Sequence, residues 1–163
     1  MKELAVRPAR LVDVPPVLEI ERAVFSDPWS AQSFREALGH PAVYFSCVRR
    51  DEGELLGYVV AWFIADEGEI ANLAVARSAW GAGIGRALLD AALTEAASRG
   101  VTAVYLEVRE SNERARRLYQ SSKFEEVGRR RGYYRRPVED AIVLRRTLDV
   151  PDDTEGELCN TTR

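Results

Sequence analysis

Ile70-Ala-Asn-Leu-Ala-Val75, followed by Trp80-Gly-Ala-Gly-Ile-Gly-Arg86, joins an apolar strand to a glycine-rich turn. A helix is predicted next, because apolar residues recur at helical spacing at Ile84, Leu88, Leu89, Ala92 and Leu93. Three glycines at alternate positions leave backbone N–H groups uncovered where this helix begins. A helix start carries partial positive charge and unpaired donors, which together suit a phosphate or pyrophosphate group. The segment therefore predicts a ligand that carries phosphate.

Two well-known glycine motifs do not match this turn. The dinucleotide fingerprint needs its third glycine one residue after Gly85, where Arg86 stands instead. The nucleotide P-loop needs a Gly-Lys-Ser/Thr ending, which this turn lacks. From the glycines alone, a tight strand-to-helix turn without a ligand is an equal alternative.

Residues 69–89 resemble the GCN5-related N-acetyltransferase (GNAT) family, whose signature Gln/Arg-x-x-Gly-x-Gly/Ala follows a strand ending in Leu-Ala-Val. The resemblance implies acetyl-CoA as cosubstrate. It assigns the pyrophosphate to six loop positions: Gly81, Ala82, Gly83, Ile84, Gly85 and Arg86. It assigns the pantetheine and thioester to Leu73, Ala74 and Val75. Trp80 replaces the family's Gln or Arg, but backbone amides do not depend on that side chain, so we expect binding to be retained.

Further segments resemble one branch, the RimI-type ribosomal-protein-alanine N-acetyltransferases. They follow the family order over roughly residues 4–148 and are more specific than the glycine turn. The matching positions are Phe25-Ser-Asp-Pro-Trp-Ser30, Leu106-Glu-Val-Arg-Glu-Ser-Asn112, Leu118-Tyr119, Phe124, Tyr133-Tyr134 and Glu139-Asp-Ala-Ile142.

The pattern of elements predicts an α/β (α+β) domain over residues 1–148. The order β-α-α-β-β-β-α-β-α-β-β implies a mixed sheet of about seven strands flanked by about four helices, as in the GNAT acyl-CoA acyltransferase fold. Strands are predicted at 4–7, 43–50, 55–64, 70–75, 103–108, 124–131 and 141–148. Helices are predicted at 12–25, 31–38, 83–98 and 113–122.

Composition limits the class of protein. The chain has 163 residues, of which 46% are hydrophobic and 30% charged, as expected for one globular domain. Cys47 and Cys159 lie far apart in the sequence, so we expect no disulfide framework. This cysteine usage predicts a cytoplasmic protein. The longest apolar run, 55–64, is too short to cross a bilayer. Residues 149–163 are acidic, polar and interrupted by proline, and we expect disorder there.

A net charge of −3 argues against direct nucleic-acid binding by the whole surface. Five arginines at 129–131 and 135–136 nevertheless cluster around two tyrosines. RNA contact is one interpretation of this cluster, and solvated charge or contact with the coenzyme's phosphates is the favoured one. The sequence shows no His/Cys cluster that predicts a metal.

Glu107 is the first candidate for the base that deprotonates the acceptor amine. It stands near the end of an apolar strand, where a carboxylate is partly desolvated and suited to work near neutral pH. In the RimI-type branch the matching glutamate accepts the proton. An ion pair with Arg109, on the same strand face, is the structural alternative. Glu69 is the rival base, because other branches place the base on the strand before the glycine loop.

Tyr119 is the candidate acid that protonates the departing thiolate, and it matches the family's proton donor. Phenol has a pKa of about 10 and thiol of about 8.5, so the transfer is uphill by about 2 kcal/mol unless local environment offsets the gap. Asn112 is two helical turns earlier and is predicted to cap this helix, to contact the coenzyme, or both. A backbone N–H near 73–75 is expected to stabilise the oxyanion if that strand bulges.

Trp29, Tyr133 and Tyr134, together with Glu69, are candidates for contacting a peptide substrate. Aromatics near loops often do so, and the branch matches at the three aromatic positions. Ordinary packing is the alternative for Trp29. Trp62, inside an apolar run, is predicted to be core. The resemblance implies acetylation of the N-terminal alanine of a small-subunit ribosomal protein. Acetylation of another amine and binding of acyl-CoA without turnover stay open as alternatives.

Overall fold

The computed structural model describes residues 4–51 and 53–149. Apart from Asp149, the predicted disordered tail lies outside these residues. Among them, no helix is long and apolar enough to cross a membrane.

The described residues form seven strands and four α-helices, in the order predicted. The strands are β1 (Val6–Pro8), β2 (Val43–Arg49), β3 (Leu55–Ile64), β4 (Glu67–Val75), β5 (Ala103–Arg109), β6 (Glu125–Arg135) and β7 (Val138–Thr147). The helices are α1 (Val14–Val24), α2 (Ala31–Leu38), α3 (Ile84–Ser98) and α4 (Glu113–Ser121).

One mixed sheet runs through the molecule in the order β1-β2-β3-β4-β5-β7-β6, with β4 and β5 parallel and the other neighbours antiparallel. The apolar sides of α3 and α4 pack on one face, where Leu88, Leu89 and Tyr119 belong to the larger core cluster. The helices α1 and α2 cover the other face through a second cluster that includes Val17 and Phe34. Helices on both faces confirm the predicted architecture.

The largest difference from the prediction concerns the last two strands. β6 extends to Arg135 and β7 begins at Val138, so a short turn joins the two strands. Tyr133 and Tyr134 therefore lie on β6 itself. The register of β6 against β7 is irregular between Arg130 and Tyr134. Alternating apolar residues could not reveal this extension, because most of β6 is exposed.

β4 carries a bulge at Ala71, because Val60 of β3 stands opposite Asn72 while the next residue, Ala61, stands opposite Ile70. The extra residue reverses which side chains face which layer. Ile70 before the bulge and Leu73 after it both contact the α3 side of the sheet. The role predicted for a backbone N–H near 73–75 depended on a bulge that the sequence could not show, and β4 has one at Ala71, just before these residues.

Beyond this bulge β4 separates from β5. Within the described part of the chain, the two strands pair from Glu67 opposite Ala103 to Ile70 opposite Leu106, and no further. Across β4, the Ala76 N–H bonds the Leu56 carbonyl of β3 at 2.8 Å. Because backbone groups alternate along a strand, those of Leu73 and Val75 turn the other way, into the gap between β4 and β5.

Candidate active site

The glycine loop is shaped to expose backbone donors. Gly81 and Gly83 have φ of +82° and +80°, in the left-handed region that favours glycine. A Cβ added to either glycine would meet nothing within 4 Å, so this side of the loop is open. The first helical bond of α3 runs from the Ala87 N–H to the Gly83 carbonyl at 3.0 Å. The N–H groups of residues 84–86 therefore stay unpaired within the part of the chain that the structure describes.

Two predicted loop positions have additional structural roles. A Cβ on Gly85 would lie 3.3 Å from the Leu118 side chain, so glycine lets α3 approach α4 closely. The Arg86 guanidinium donates hydrogen bonds to the hydroxyls of Ser121 and Ser122 at the end of α4. The side chain of Arg86 therefore joins the two helices, and only its backbone N–H is left for the predicted phosphate contact.

The predicted pantetheine positions divide between the two sides of β4. Leu73 and Val75 present backbone groups to the gap and pack against the α3-side cluster. Ala74 stands opposite Tyr58 of β3, and its side chain is buried in the other cluster. The Trp80 indole N–H donates to the Val75 carbonyl at 3.0 Å, so one of the backbone acceptors facing the gap is already engaged.

Glu107 is surrounded by charged and aromatic side chains of β6. Its Oε1 lies 2.9 Å from Nε of Arg130, and the Tyr133 hydroxyl is hydrogen-bonded to it. This hydrogen bond, followed by desolvation, raises the pKa of Tyr133. The alternative of an ion pair with Arg109 is wrong. Arg109 lies 3.8 Å from Glu139, and its guanidinium sits 4.2 Å from the Tyr134 ring centre.

Both candidate bases line one cleft. Glu69 stands opposite Tyr105 of β5, which is two residues before Glu107 and on the same face. A cavity of about 430 Å³ is bordered by these side chains and by Trp62, Glu67 and Arg130. Glu69 is exposed and forms no ion pair with any other described residue, whereas the Glu107 side chain is only 19% exposed.

The prediction that Trp62 is a core residue is wrong. Trp62 stands opposite Glu69, is only half-buried and borders the cleft. Tyr58 and Val60 of the same strand belong to the cluster under α1 and α2, but Trp62 does not. The helical cover therefore ends before Trp62, which leaves its ring beside His40 with centroids 4.9 Å apart.

Tyr119 is buried on the α3 side of the sheet, edge-on to Phe124 with ring centroids 5.6 Å apart. Desolvation and the nearby Tyr134 hydroxyl raise the pKa of Tyr119 above its usual value. In the free protein, the environment therefore increases the difference between the pKa of this phenol and the pKa of a thiol in solution. Tyr134 interacts electrostatically with both Tyr119 and Glu107. Burial and then the charge of Glu107 raise the pKa of Tyr134 to about 12.

Asn112 is the predicted N-cap of α4, and its side-chain oxygen accepts from the Ala115 N–H at 3.2 Å. Trp29 packs on Phe34 with centroids 5.3 Å apart and is half-buried, so packing accounts for part of its role. Tyr133 is 48% exposed and lies edge-on to Tyr134 with ring centroids 5.1 Å apart.

A buried carboxylate that the sequence did not single out supports this region. Glu21 of α1 accepts from Asn72 Nδ2 at 2.9 Å, from the Trp29 N–H at 3.2 Å and from the Tyr58 hydroxyl. It thereby links the bulged part of β4 to the segment that carries Trp29. The signal available in the sequence was a glutamate on the apolar side of an amphipathic helix.

Two of the five arginines in the basic cluster form ion pairs within the part of the chain that the structure describes. Arg129 lies 2.9 Å from both Glu110 and Asp140, and Arg130 pairs with Glu107. Arg130 was not predicted as a site residue, because in the sequence it is one of several consecutive arginines. Only its register on β6 singles it out.

Residues 14–124 match the sequence model of the Acetyltransferase (GNAT) family, and the chain belongs to this family. The predicted enzyme class, an acetyl-CoA-dependent N-acyltransferase, is confirmed.

The chain is 35% identical over 136 residues to the ribosomal protein bS18-alanine N-acetyltransferase of Escherichia coli (strain K12), covering 81% of this chain and 89% of that protein. The crystal structure of the Escherichia coli ribosomal-protein-S18-alanine N-acetyltransferase matches with a TM-score of 0.83 at 28% identity, over 93% of this chain and 98% of that one. The crystal structure of Arabidopsis thaliana NAA60 in complex with acetyl-CoA matches with a TM-score of 0.81 at 21% identity, over 90% of this chain and 99% of that one. This similarity shows the fold alone. The predicted fold and the resemblance to the ribosomal-protein-alanine branch are confirmed.

Proposed function

We propose that this chain transfers the acetyl group of acetyl-CoA to the N-terminal alanine amine of a small-subunit ribosomal protein. The observation that carries the proposal is the gap between β4 and β5, which leads from the glycine loop towards the end of β5 that carries Glu107. Relatives named as ribosomal protein bS18-alanine N-acetyltransferases support this choice of acceptor.

The donor set of the loop and strand fits acetyl-CoA. Unpaired N–H groups at the start of α3 suit the diphosphate, and the open sides of Gly81 and Gly83 leave room for it. The backbone edge of Leu73 and Val75 suits the amide groups of the pantetheine arm, as an added strand would. A backbone N–H on this edge can also donate to the thioester carbonyl oxygen as negative charge develops there.

Glu107 serves as the base in this proposal. A free α-amine has a pKa of about 7.7–8.0, against about 10.4 for lysine, so a modest base suffices for an N-terminus. The contact with Arg130 holds the Glu107 side chain in position, and a water molecule can relay the proton. Glu69 borders the same cleft and remains the alternative.

Tyr119 serves as the acid that protonates the thiolate. Its raised pKa opposes proton donation, but a thiolate in the same buried surroundings is destabilised as well. Both anions are thus penalised, and the phenol–thiol difference at the site is smaller than the raised phenol pKa alone implies. In this proposal Asn112, which caps the same helix through its side-chain oxygen, contacts the coenzyme through its side-chain NH₂ group.

Tyr133, Tyr134 and Trp29 hold the acceptor peptide in this proposal. Tyr133 is the exposed member, and it contacts Glu107 directly. The proposal places the enzyme in the cytoplasm with a protein N-terminus as partner, and it requires neither a membrane nor direct contact with nucleic acid.

Mass spectrometry of protein N-termini, in cells with and without this chain, tests the proposal. We expect one small-subunit ribosomal protein to lose its N-terminal acetyl group when the chain is absent. In vitro, an alanine-starting peptide should be acetylated, and the same peptide blocked at its N-terminus should not. Acetylation only at an internal lysine would contradict the proposal and indicate a lysine acetyltransferase.

A further inference from the structure

Trp80 carries two guanidinium groups against its ring. The side chain is 45% exposed, and its indole N–H is fixed by the Val75 carbonyl. Cζ of Arg114 lies 4.3 Å from the ring centre, and Cζ of Arg77 lies 5.8 Å from it. Arg77 follows β4, whereas Arg114 belongs to the first turn of α4. The cluster therefore joins the two walls of the gap next to the glycine loop.

These two arginines lack the ion pairs that several other arginines of the molecule form. Neither Arg77 nor Arg114 has an ion pair with a carboxylate anywhere in residues 4–51 or 53–149. By contrast, Arg117, three residues further along α4, pairs with Glu113. Two guanidinium groups without anionic partners, held beside an exposed indole, suit a ligand that is both aromatic and anionic.

We propose that Trp80, Arg77 and Arg114 bind the 3′-phosphorylated adenosine of CoA. The proposal rests on acetyl-CoA binding at the glycine loop. With the diphosphate at residues 81–86 and the pantetheine arm along β4, the adenosine must leave the loop near its outer end. Trp80 directly precedes this loop. The adenine stacks on the indole in place of Arg114, and the two guanidinium groups turn to the 3′-phosphate.

The indole is already oriented for this role. Its bond to the Val75 carbonyl holds the ring, so stacking costs little side-chain entropy. Base stacking on aromatic side chains and charge-assisted contacts to phosphate are each substantial in partly desolvated sites. The substitution of Trp for the family's Gln or Arg therefore adds a nucleotide contact that backbone amides alone do not supply.

Calorimetry on the full chain, with CoA and with dephospho-CoA, tests the phosphate part. We expect the chain to bind CoA at least about tenfold more tightly than dephospho-CoA. The double variant Arg77→Gln/Arg114→Gln should bind the two ligands within about twofold of each other. The control Arg117→Gln, on the same helix, should keep the original ratio. An unchanged ratio in the double variant would overturn the proposal.

Competition by adenosine 3′,5′-bisphosphate tests the adenine part. Trp80→Leu should weaken this probe on the order of tenfold. It should change the affinity for S-acetyl-4′-phosphopantetheine, which lacks the nucleoside, far less. An equal loss for both probes would remove the nucleotide subsite and leave acetyl-CoA binding at the loop intact. Failure of the unmodified chain to bind CoA or either probe would overturn the proposed function together with this subsite.

Discussion

Glu107 and Glu69 share one cleft but differ in their surroundings. Glu107 is mostly buried and held by Arg130 and Tyr133, whereas Glu69 is exposed on the strand before the bulge. A base needs a fixed position relative to the proton that it removes. The partners of Glu107 supply such a position, which favours it over Glu69.

Replacing Glu107 by Gln should lower kcat by about 100-fold or more, because the amide keeps the shape of the side chain but cannot accept the proton. The acid limb of the pH–rate profile should also flatten. Glu69→Gln should reduce kcat by less than about tenfold. Steady-state kinetics from pH 5 to 9 measure both effects, with thermal melting as a check on folding. A larger loss in the Glu69 variant would transfer the role of base to that residue.

The raised pKa of Tyr119 predicts how kcat behaves on the alkaline side of the same pH–rate profile. Its pKa is raised above the usual value of about 10, so the hydroxyl stays protonated at every pH below that. Since the acid must be protonated to act, Tyr119 should cause no fall in kcat between pH 7 and about pH 10. Tyr119→Phe should lower kcat at all these pH values without changing the shape of the curve. An alkaline fall near pH 8–9 that disappears in the variant would contradict the assignment.

Single residues show what the sequence could and could not predict. Gly81 and Gly83 were predictable, because their need for positive φ and exposed amides is local. Arg130 was not, because its contact with Glu107 depends on β5, β7 and β6 lying side by side and on an irregular register. Trp62 was assigned to the core from its neighbours in sequence, but its burial depends on where α1 and α2 end over the sheet.

At the scale of elements, the junction of β4, the glycine loop and α3 determines the proposed coenzyme site. The predicted strand and helix bounds were close here, since the apolar periodicity is strong. The bulge at Ala71 and the early end of β4–β5 pairing were not predictable, because they arise between strands. Both change which backbone groups are free, and so they matter more to the site than the bounds do.

Gly83 and Gly100 flank the two ends of α3 and form a natural pair for comparison. They have φ of +80° and +81°, and a Cβ on either would meet nothing within 4 Å. Leu at either position should therefore cost a similar amount of stability, about 1–2 kcal/mol. Only Gly83→Leu should weaken CoA binding, because only this side chain enters the loop. Calorimetry and denaturant unfolding separate the two effects, and equal loss of CoA affinity in both variants would disprove the loop assignment.

At the scale of the whole molecule, the sheet consists of two parts that meet at β4 and β5. The strands β1 to β4 form one part and β5, β7 and β6 the other, and among the described residues four pairs join them. The open half of this junction is flanked by the α3 loop on one side and by α4 on the other. A ligand in the gap would contact both parts and take the place of the missing strand pairing.

Acetyl-CoA should therefore stabilise the whole sheet rather than the glycine loop alone. At a concentration 100 times its Kd, binding adds about 2.7 kcal/mol, which corresponds to a rise in Tm of roughly 5–10 °C for a chain of this size. Hydrogen exchange should slow at residues 73–75 of β4 and also at the far end of β5 and the first turn of α4. Gly83→Leu, measured at the same ligand concentration, should show neither the full rise in Tm nor the slower exchange. Slower exchange confined to residues 81–86 would mean that the ligand does not bridge the two parts of the sheet.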